Sequence, residues 1–254
     1  MALVVSITYR LNLARSTQPG CLVDGMHTVR SLINHGTYKA SEIVFLTDGS
    51  RRMIRSDPLF DNVRIERATR KKILYHLHEL IASDHTDLWF SYSGHGYSSQ
   101  GGLDESDTST EYLVPSNDFF FNSIRDNTLA SIARNVRKDQ SLFILLDCCH
   151  SNTLFDLPYS YDTKTQKLSR ENNNTFDGLI TCISAARDDQ RTTDNFNHTP
   201  GGSLSTLFRE NIDRFSVSRI KKFSSLLYRE LIRARKKGDD VENNTFTVSC
   251  SKKI

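Results

Sequence analysis

The stretch LFILLDCCHS, residues 142–151, joins an apolar run to a cluster of reactive side chains. A continuous apolar run predicts a buried strand of a parallel sheet, because such strands are covered on both faces. Alternate side chains of a strand point to opposite faces, so Asp147 and Cys149 share one direction while Cys148 takes the other. We therefore predict that Cys149 is reactive and that Cys148 is a small buried hydrophobic residue.

A second strand-like run, LWFSYSGHG at residues 88–96, also ends in a reactive side chain. His95 lies between Gly94 and Gly96, which permit a sharp turn and a close approach of the backbone to a ligand. The carboxyl ends of parallel strands gather ligands and catalytic groups. If the two strands are neighbours, the imidazole and a thiol come together as nucleophilic cysteine catalysis requires. His150 should point away from the thiol, so we predict a structural role for it.

The rest of the chain alternates short apolar runs with helical patterns. Strands are predicted at residues 3–7, 43–46, 88–92, 142–146, 179–183 and 246–250. Helices are predicted within residues 24–36, 68–83, 127–136 and 219–237. This alternation predicts an α/β fold with a mainly parallel sheet flanked by helices. No linker rich in Pro or Gly divides the chain, so we expect a single domain over residues 1–254.

Composition and charge narrow the possible partners. The chain has 254 residues, 25% of them charged, and a formal net charge of +3. Its basic clusters, at residues 51–55 and 233–237, are not interleaved with stacking aromatics, so we predict solvated faces and no nucleic-acid partner. The five cysteines lack the pattern of a disulfide framework, which favours a reducing compartment. No apolar segment approaches the roughly 20 residues that cross a bilayer, and the amino terminus does not resemble a signal peptide, so we expect a soluble cytoplasmic protein without a membrane partner.

Several motifs occur together and in order: GCLVD (20–24), YSGHG (92–96), DCCHS (147–151), DLPY (156–159) and ISAARDDQ (183–190). His95 precedes Cys149 by roughly the 50 residues that separate the catalytic histidine and cysteine of caspases. With these motifs the chain resembles a metacaspase, of the caspase-like cysteine peptidase clan, over practically its whole length. The resemblance implies a minimal form without a prodomain.

The resemblance also implies a fold, a mechanism and an assembly state. The implied fold is a caspase-like three-layer sandwich with a six-stranded sheet. It is divided into a large-subunit-like part (1–158), an exposed linker (159–177) and a small-subunit-like part (178–254). The implied activity is that of a cysteine endopeptidase with a Cys149/His95 dyad, whose oxyanion is stabilised by the backbone N–H groups of Gly96 and Cys149. Relatives are mostly monomeric, which implies a monomer here.

An acidic pocket is implied for the P1 side chain, which precedes the cleaved bond. By resemblance this S1 pocket is formed by Cys21, Asp24, Ser93 and Asp147. Asp24 taken alone would be a helix N-cap, and the motif favours the pocket instead. Two carboxylates select a cation, and a guanidinium bridges both while an ammonium does not, so we predict peptide or protein substrates with Arg, then Lys, at P1.

Calcium is where the sequence departs from the family. The acidic residues with which many metacaspases bind Ca²⁺ correspond here to Thr110, Asp126, Asn127 and Asp156, so two carboxylates are missing. Hard divalent cations are held mainly by carboxylate charge. We therefore predict that calcium binds weakly or is dispensable and that no cofactor is required, although acidic residues 104–111 offer partial compensation. Paired Cys and His spacing typical of a zinc site is absent from the sequence.

The segment 159–177, YSYDTKTQKLSRENNNTFD, is polar and low in aliphatic residues, which predicts an exposed loop. It lies between the dyad segment and GLITCISAARDDQ, where the family often cleaves itself. Lys164, Lys167 and Arg170 all suit an acidic S1 pocket. The sequence leaves self-cleavage and a plain surface loop equally open.

Other functions stay open at this point. A catalytically idle relative would use the acidic pocket as a scaffold that binds basic peptides. Asn152, in place of the glycine usual after CHS, would favour it if its side chain crowds the nucleophile. A clan relative that cleaves after asparagine is a second rival, but its pocket does not need two carboxylates. A vicinal disulfide between Cys148 and Cys149 would be strained and is disfavoured.

Overall fold

The computed structural model describes residues 1–10, 17–100, 109–117, 122–149, 153–185, 195–196, 199–200, 202–215, 220–236 and 246–253. The strands are β1 (Ala2–Ser6), β2 (Ile43–Thr47), β3 (Arg64–Glu66), β4 (Asp87–Ser93), β5 (Gly96–Gln100), β6 (Ser109–Leu113), β7 (Ile124–Arg125), β8 (Ser141–Asp147), β9 (Tyr159–Asp162), β10 (Lys167–Arg170), β11 (Leu179–Ser184), β12 (Asn195–Phe196), β13 (Thr199–Pro200) and β14 (Thr247–Cys250). The α-helices are α1 (Pro19–Asn34), α2 (Arg51–Ile54), α3 (Arg70–Ala82), α4 (Asp126–Ala133), α5 (Ser203–Glu210) and α6 (Ile220–Lys236).

A nine-stranded sheet forms the centre of the described structure, in the order β10-β9-β14-β11-β8-β4-β1-β2-β3. From β11 to β3 every neighbouring pair is parallel. The pairs that join β11 to β14, β14 to β9 and β9 to β10 are antiparallel. The predicted α/β fold with a mainly parallel sheet is confirmed.

All of the predicted strands are present, but the predicted count of six is wrong, because three further strands extend the sheet at its two edges. The sequence does not predict β3, β9 or β10. β3 has three residues, which is too short for a recognisable pattern. β9 and β10 form a hairpin at the opposite edge, where polar residues are favoured because one side faces water.

This hairpin lies where the sequence predicts an exposed linker, over residues 159–177. β9 pairs with β14, and β10 pairs with β9. Tyr161 is buried, whereas Lys164, Lys167 and Arg170 are exposed. Two paired strands thus lie within the predicted exposed loop, because a polar composition suits an edge hairpin as well as it suits a loop. The exposure predicted for the three basic residues is correct.

Helices cover both faces of the sheet. α1, α5 and α6 pack in one apolar cluster, with Val29, Phe208 and Leu227 among its buried members. α3 and α4 pack in a second cluster on the other face, with Leu77 and Leu129 buried there. Each fully buried side chain of this size stabilises the fold by roughly 1.5–3 kcal/mol relative to exposure. The result is the predicted three-layer sandwich.

Local signals place some helices correctly and miss others. α3 begins after Thr69, whose side chain accepts a hydrogen bond from the Lys72 N–H, as an N-cap residue does. α1 begins at Pro19, so Asp24 lies inside the helix and its interpretation as an N-cap is wrong. The sequence does not predict α5. In the described part of the chain, no helix is long and apolar enough to span a bilayer.

Candidate active site

The carboxyl ends of β4 and β8 meet at one edge of the sheet. The two strands are parallel neighbours, with Ser93 opposite Asp147. Beyond these residues, Gly96 lies against the Cys149 backbone: a Cβ atom on Gly96 would be 2.2 Å from the Cys149 carbonyl oxygen. Only glycine permits this approach. The structure thus brings together the segments that carry His95 and Cys149.

The two adjacent cysteines differ in environment. Cys148 is fully buried in the apolar cluster on the side of α3 and α4, with Leu146 of the same strand face. Cys149 is partly exposed, whereas the other four cysteines of the chain are buried. The structure therefore leaves Cys149 as the cysteine that a substrate can reach. His150, Asn152 and acidic residues 104–107 lie outside the described residues.

Two tyrosines hold the backbone of His95. The Tyr9 hydroxyl accepts a hydrogen bond from the His95 N–H at 2.8 Å, and the Tyr92 hydroxyl donates to the His95 carbonyl at 2.8 Å. The Tyr9 ring also packs on the imidazole, with centroids 4.5 Å apart. Burial raises the pKa of both phenols well above the ordinary value, so both remain neutral hydrogen-bonding groups. Tyr9 has φ of 58°, a conformation that is uncommon outside glycine and clusters at functional sites.

Gln18 is a further neighbour of His95 that sequence reasoning missed. Its Nε2 atom lies 3.1 Å from Nδ1 of His95, and its Oε1 atom accepts a hydrogen bond from the Cys21 thiol at 3.3 Å. Cys21 lies one turn before Asp24 on α1, so both side chains occupy one face of the helix. A glutamine three residues before a cysteine carries no recognisable signal, and only the fold brings it to His95.

Asp24 and Asp147 form a buried acidic pair next to Ser93. Oδ2 of Asp24 accepts hydrogen bonds from the Ser93 hydroxyl at 2.8 Å and from the Gly202 N–H at 2.9 Å. Oδ2 of Asp147 accepts one from the Ser205 N–H at 2.7 Å. Oδ1 of each carboxyl is buried without a hydrogen-bond partner among the described residues. The pocket therefore presents two acceptor atoms that need donors.

Burial and mutual repulsion oppose ionisation of this pair. Burial, and next the charge of Asp147, raises the pKa of Asp24 well above its ordinary value, against the hydrogen bonds from Gly202 and Ser93. Burial raises the pKa of Asp147 to about 6, against the hydrogen bonds from Ser205. A cation bound between the carboxyls would favour ionisation of both. Strongly shifted carboxyls in such a place are typical of a functional site.

The amino terminus of α5 supplies the groups that hold the acidic pair. Gly202 directly precedes the helix, and a Cβ atom there would lie 2.1 Å from Oδ2 of Asp147, so no other residue fits without rearrangement. The free N–H groups at the start of a helix favour negative charge. Sequence reasoning missed Gly202 and Ser205. The stretch GGSLST (201–206), with glycines before an apolar helical pattern, is the signal that could have found them.

The residues at the calcium positions of relatives serve other contacts here. Both carboxylate oxygens of Asp126 accept backbone N–H groups, from Glu111 at 2.9 Å and from Asn127 at 2.6 Å. Thr110 lies in β6, and Asp156 adopts φ of 49° in the segment before β9. Among the described residues, no group of three or more His, Cys, Asp or Glu side chains is arranged to hold a metal ion. Of the four predicted residues, Asp126 and Asp156 carry carboxylates, and both oxygens of Asp126 are already hydrogen-bonded.

The fold and this edge of the sheet together define a class of protein. A cysteine and a histidine beyond the carboxyl ends of neighbouring parallel strands, in a three-layer α/β sandwich, are the arrangement of a caspase-like cysteine peptidase. The family model for the metacaspase, peptidase C14 domain matches residues 1–158. The chain belongs to the metacaspase family of cysteine-type peptidases.

Two curated relatives and one solved structure illustrate this relationship. Metacaspase-1 of Candida glabrata is 30% identical over 167 residues, covering 64% of this chain and 39% of the relative. Metacaspase-1B of Neurospora crassa is 31% identical over 192 residues, covering 72% and 41%. The solved structure, pro-sf-caspase-1, superposes with a TM-score of 0.52 at 11% identity, covering 93% of this chain and 82% of the other, and shows the fold alone. The chain spans less than half the length of both curated relatives.

Proposed function

We propose that this protein is a cysteine endopeptidase that cleaves peptide bonds after Arg and, less well, after Lys. The observation that carries the P1 preference is the acidic pair, in which Asp24 and Asp147 each keep one buried oxygen without a partner among the described residues. A guanidinium offers five N–H donors in a planar fork together with a positive charge, so it can satisfy both oxygens at once. The ammonium group of Lys carries the positive charge but lacks the planar fork of donors, so we expect Lys to be accepted less well than Arg.

The proposed cycle has two halves that are joined by an acyl-enzyme. His95 takes the thiol proton of Cys149 as the sulfur attacks the P1 carbonyl carbon, and the backbone N–H groups of Gly96 and Cys149 stabilise the negative oxygen. The C–N bond then breaks as His95 gives its proton to the departing amine. His95 next takes a proton from water, whose oxygen attacks the thioester. The thiolate leaves, and the product carries a carboxyl group at P1.

Substrate binding changes the charge balance of the pocket. Asp24 and Asp147 are only 3% and 4% exposed, so little of either carboxyl meets water before a P1 side chain binds. In the free protein, desolvation and repulsion hold protons on the pair to higher pH than for separate carboxyls. An arriving guanidinium reverses this preference, because an opposite charge favours the ionised form. Binding of Arg substrates therefore weakens as pH falls through about 6.

Matched fluorogenic peptides that differ only in P1 test the proposed activity. We expect the highest kcat/KM for Arg, about tenfold less for Lys because the bidentate pairing is lost, and no cleavage after Asp or Asn. Best cleavage after Asn would instead identify the asparagine-cleaving rival. If no peptide is cut but basic peptides still bind, the protein is a scaffold and the proposed activity is wrong.

We also propose that the activity does not depend on calcium. Only two carboxylates remain in the predicted set, those of Asp126 and Asp156; the first is already occupied by backbone donors, and a hard cation needs several. With excess chelator, kcat/KM for the Arg peptide should therefore stay within about twofold of the value with added calcium. Rates are measured in chelator and again after calcium is restored. A loss in chelator that calcium reverses would contradict the proposal.

Self-cleavage within the hairpin is the third part of the proposal. Through the register of the sheet, Asp162 at the end of β9 is level with Leu146 of β8. β9 runs parallel to β8, since two antiparallel pairings separate β9 from β11. The turn after β9 therefore lies at the same edge of the sheet as Cys149. Three strand spacings, about 14 Å in total, separate it from β8.

The three basic residues of the hairpin are not equally accessible to a protease. Lys164 is exposed in the turn, outside the paired strands. Lys167 and Arg170 pair with β9 at both ends of β10. A protease binds an extended, unpaired segment, and exposed loop tips are the preferred sites of nicking. Lys164 is therefore the favoured cleavage site, reached by a second molecule because the turn is too far from its own nucleophile.

The corresponding test uses active enzyme and an inactive substrate copy. We expect wild type to cut added Cys149→Ala protein after Lys164, at a rate that rises with enzyme concentration. Adding Lys164→Ala to that substrate should prevent the cut, whereas Lys167→Ala, a matched change on the same hairpin, should not. Mass spectrometry locates the cut. Cleavage only outside residues 159–177, or none at all, would show that the hairpin is not a processing site.

A further inference from the structure

Gln18 occupies a position at which helices normally select a different residue. It directly precedes Pro19, the first residue of α1, and is therefore the N-cap. Ser, Thr, Asp and Asn are favoured there because their side chains accept hydrogen bonds from the first N–H groups of the helix. The Gln18 side chain makes no capping hydrogen bond. Helix formation does not explain this glutamine.

The Gln18 side chain instead connects Cys21 to His95. Its amide nitrogen lies 3.1 Å from Nδ1 of His95, and its amide oxygen accepts the Cys21 thiol proton at 3.3 Å. Its backbone is held as well: the N–H donates to the Thr8 carbonyl at 2.9 Å, and the carbonyl accepts from the Cys21 N–H at 3.2 Å. These contacts fix Gln18 between the end of β1 and the start of α1.

We propose that Gln18 is a positioning residue that holds the His95 imidazole by Nδ1, and that Cys21 sets the orientation of the Gln18 amide. The proposal rests on the proposed peptidase function and adds to it a contact between the S1 pocket and the general base. As oriented, the amide N–H points to a ring nitrogen that must lack a proton. This selects the neutral imidazole with its proton on Nε2.

The same amide can serve the protonated imidazole. Half a turn about the last side-chain bond presents Oε1 to the Nδ1–H of His95 and Nε2 to the sulfur of Cys21. In the proposed cycle the imidazolium gives up its Nε2 proton and keeps the proton on Nδ1, so this second orientation serves both the protonated ring and the general base. A thiol accepts hydrogen bonds poorly, so Cys21 favours the first orientation, which matches a resting ring with its proton on Nε2.

Two variants of equal length separate positioning from packing. Gln18→Met keeps the size but loses both hydrogen bonds, so kcat for the Arg peptide should fall by about 10- to 100-fold with little change in KM. Gln18→Glu places a carboxylate beside the ring and favours imidazolium, so the pH profile of kcat should move upward by about one unit or more. Thr17→Ala, an exposed neighbour, is the matched control and should change neither.

Alkylation of Cys149 gives a readout that does not need peptidase activity. Among the described residues, the titratable groups near the segments that carry His95 include the phenols of Tyr9 and Tyr92 and the thiols of Cys21, Cys148 and Cys149. Burial keeps both phenols neutral, and Cys149 is the partly exposed cysteine, so iodoacetamide with mass spectrometry follows Cys149. We expect the pH profile of its alkylation to shift in Gln18→Glu.

The outcomes distinguish this inference from the peptidase proposal. If wild type cleaves no peptide but Gln18→Glu still shifts the alkylation profile, the peptidase proposal fails and the role of Gln18 stands. If Gln18→Met keeps kcat within about twofold and Gln18→Glu leaves the alkylation profile unchanged, Gln18 does not position the ring. Losses of kcat that only follow a lower Tm, with unshifted profiles, would show a purely structural residue.

Discussion

Replacement of Cys149 by alanine is expected to abolish cleavage of Arg peptides, with kcat/KM falling by about 10⁴-fold or more. In the proposed cycle the sulfur is the atom that bonds to the substrate carbonyl, and neither His95 nor the backbone N–H groups can take its place. Cys148→Ala is a matched control, because the same change one residue earlier truncates a fully buried side chain. That variant should keep most of its activity and lose about 1 kcal/mol of stability.

Initial rates on the Arg peptide and thermal unfolding, measured for both variants, check this prediction. The two cysteines are distinguished by strand direction, since Cys148 packs with Leu146 in the apolar cluster while Cys149 is partly exposed. If Cys148→Ala is inactive and Cys149→Ala is active, the assignment of the nucleophile is reversed. If both variants retain activity, the dyad is wrong.

Asp147→Asn is expected to weaken recognition of Arg substrates and to make the free protein more stable. Asparagine keeps the shape of the side chain and an oxygen that accepts the Ser205 N–H, but it removes one charge of the acidic pair. For Arg peptides, kcat/KM should fall by about 10²-fold or more, because loss of one partner of a buried charge pair costs roughly 2–5 kcal/mol. The free protein should become more stable near neutral pH, because repulsion with Asp24 and the burial of a charge are both removed.

The sign of the stability effect follows from the raised pKa. Burial raises the pKa of Asp147 from 3.8 to about 6, so between these values the folded protein holds the proton more tightly than the unfolded chain. This contribution to stability is complete below pH 3.8 and is lost as pH rises through about 6. Above that range the wild-type protein therefore bears the full free-energy cost of burying the ionised Asp147 carboxylate. The asparagine variant bears no such cost.

Thermal unfolding of wild type and Asp147→Asn across this pH range tests the expected gain in stability. Above about pH 7 the Tm of Asp147→Asn should exceed that of wild type, by about 2–4 °C for each kcal/mol gained. The difference should shrink as pH falls toward 3.8, the ordinary value. A lower Tm at high pH together with the loss of activity would mean that Asp147 is structural and that the S1 assignment is wrong.

The parts of the site that the residue pattern finds by itself lie at strand ends, whereas Cys21 and Asp24, on α1, are predicted from the family resemblance. The apolar run before Asp147 and the run before His95 mark buried strands, and the polar residues that follow them mark the edge where ligands gather. Of the acidic pair, this rule finds Asp147, at the end of β8, but not Asp24. Asp24 and Gly202, which are hydrogen-bonded in the structure, are 178 positions apart in the chain.

By itself the sequence determined the alternation of strands and helices, the strand ends that carry His95 and Cys149, and the cysteine that is buried. These properties follow from the periodicity of neighbouring side chains, which is a local property of the sequence. Only the tertiary structure decided that residues 159–177 extend the sheet, that the start of α5 holds the acidic pair, and that Gln18 contacts His95. Such contacts depend on where distant segments of the chain meet. A polar segment is as compatible with a surface loop as with an edge hairpin, and a glutamine is compatible with most exposed positions, so the local sequence does not reveal either contact.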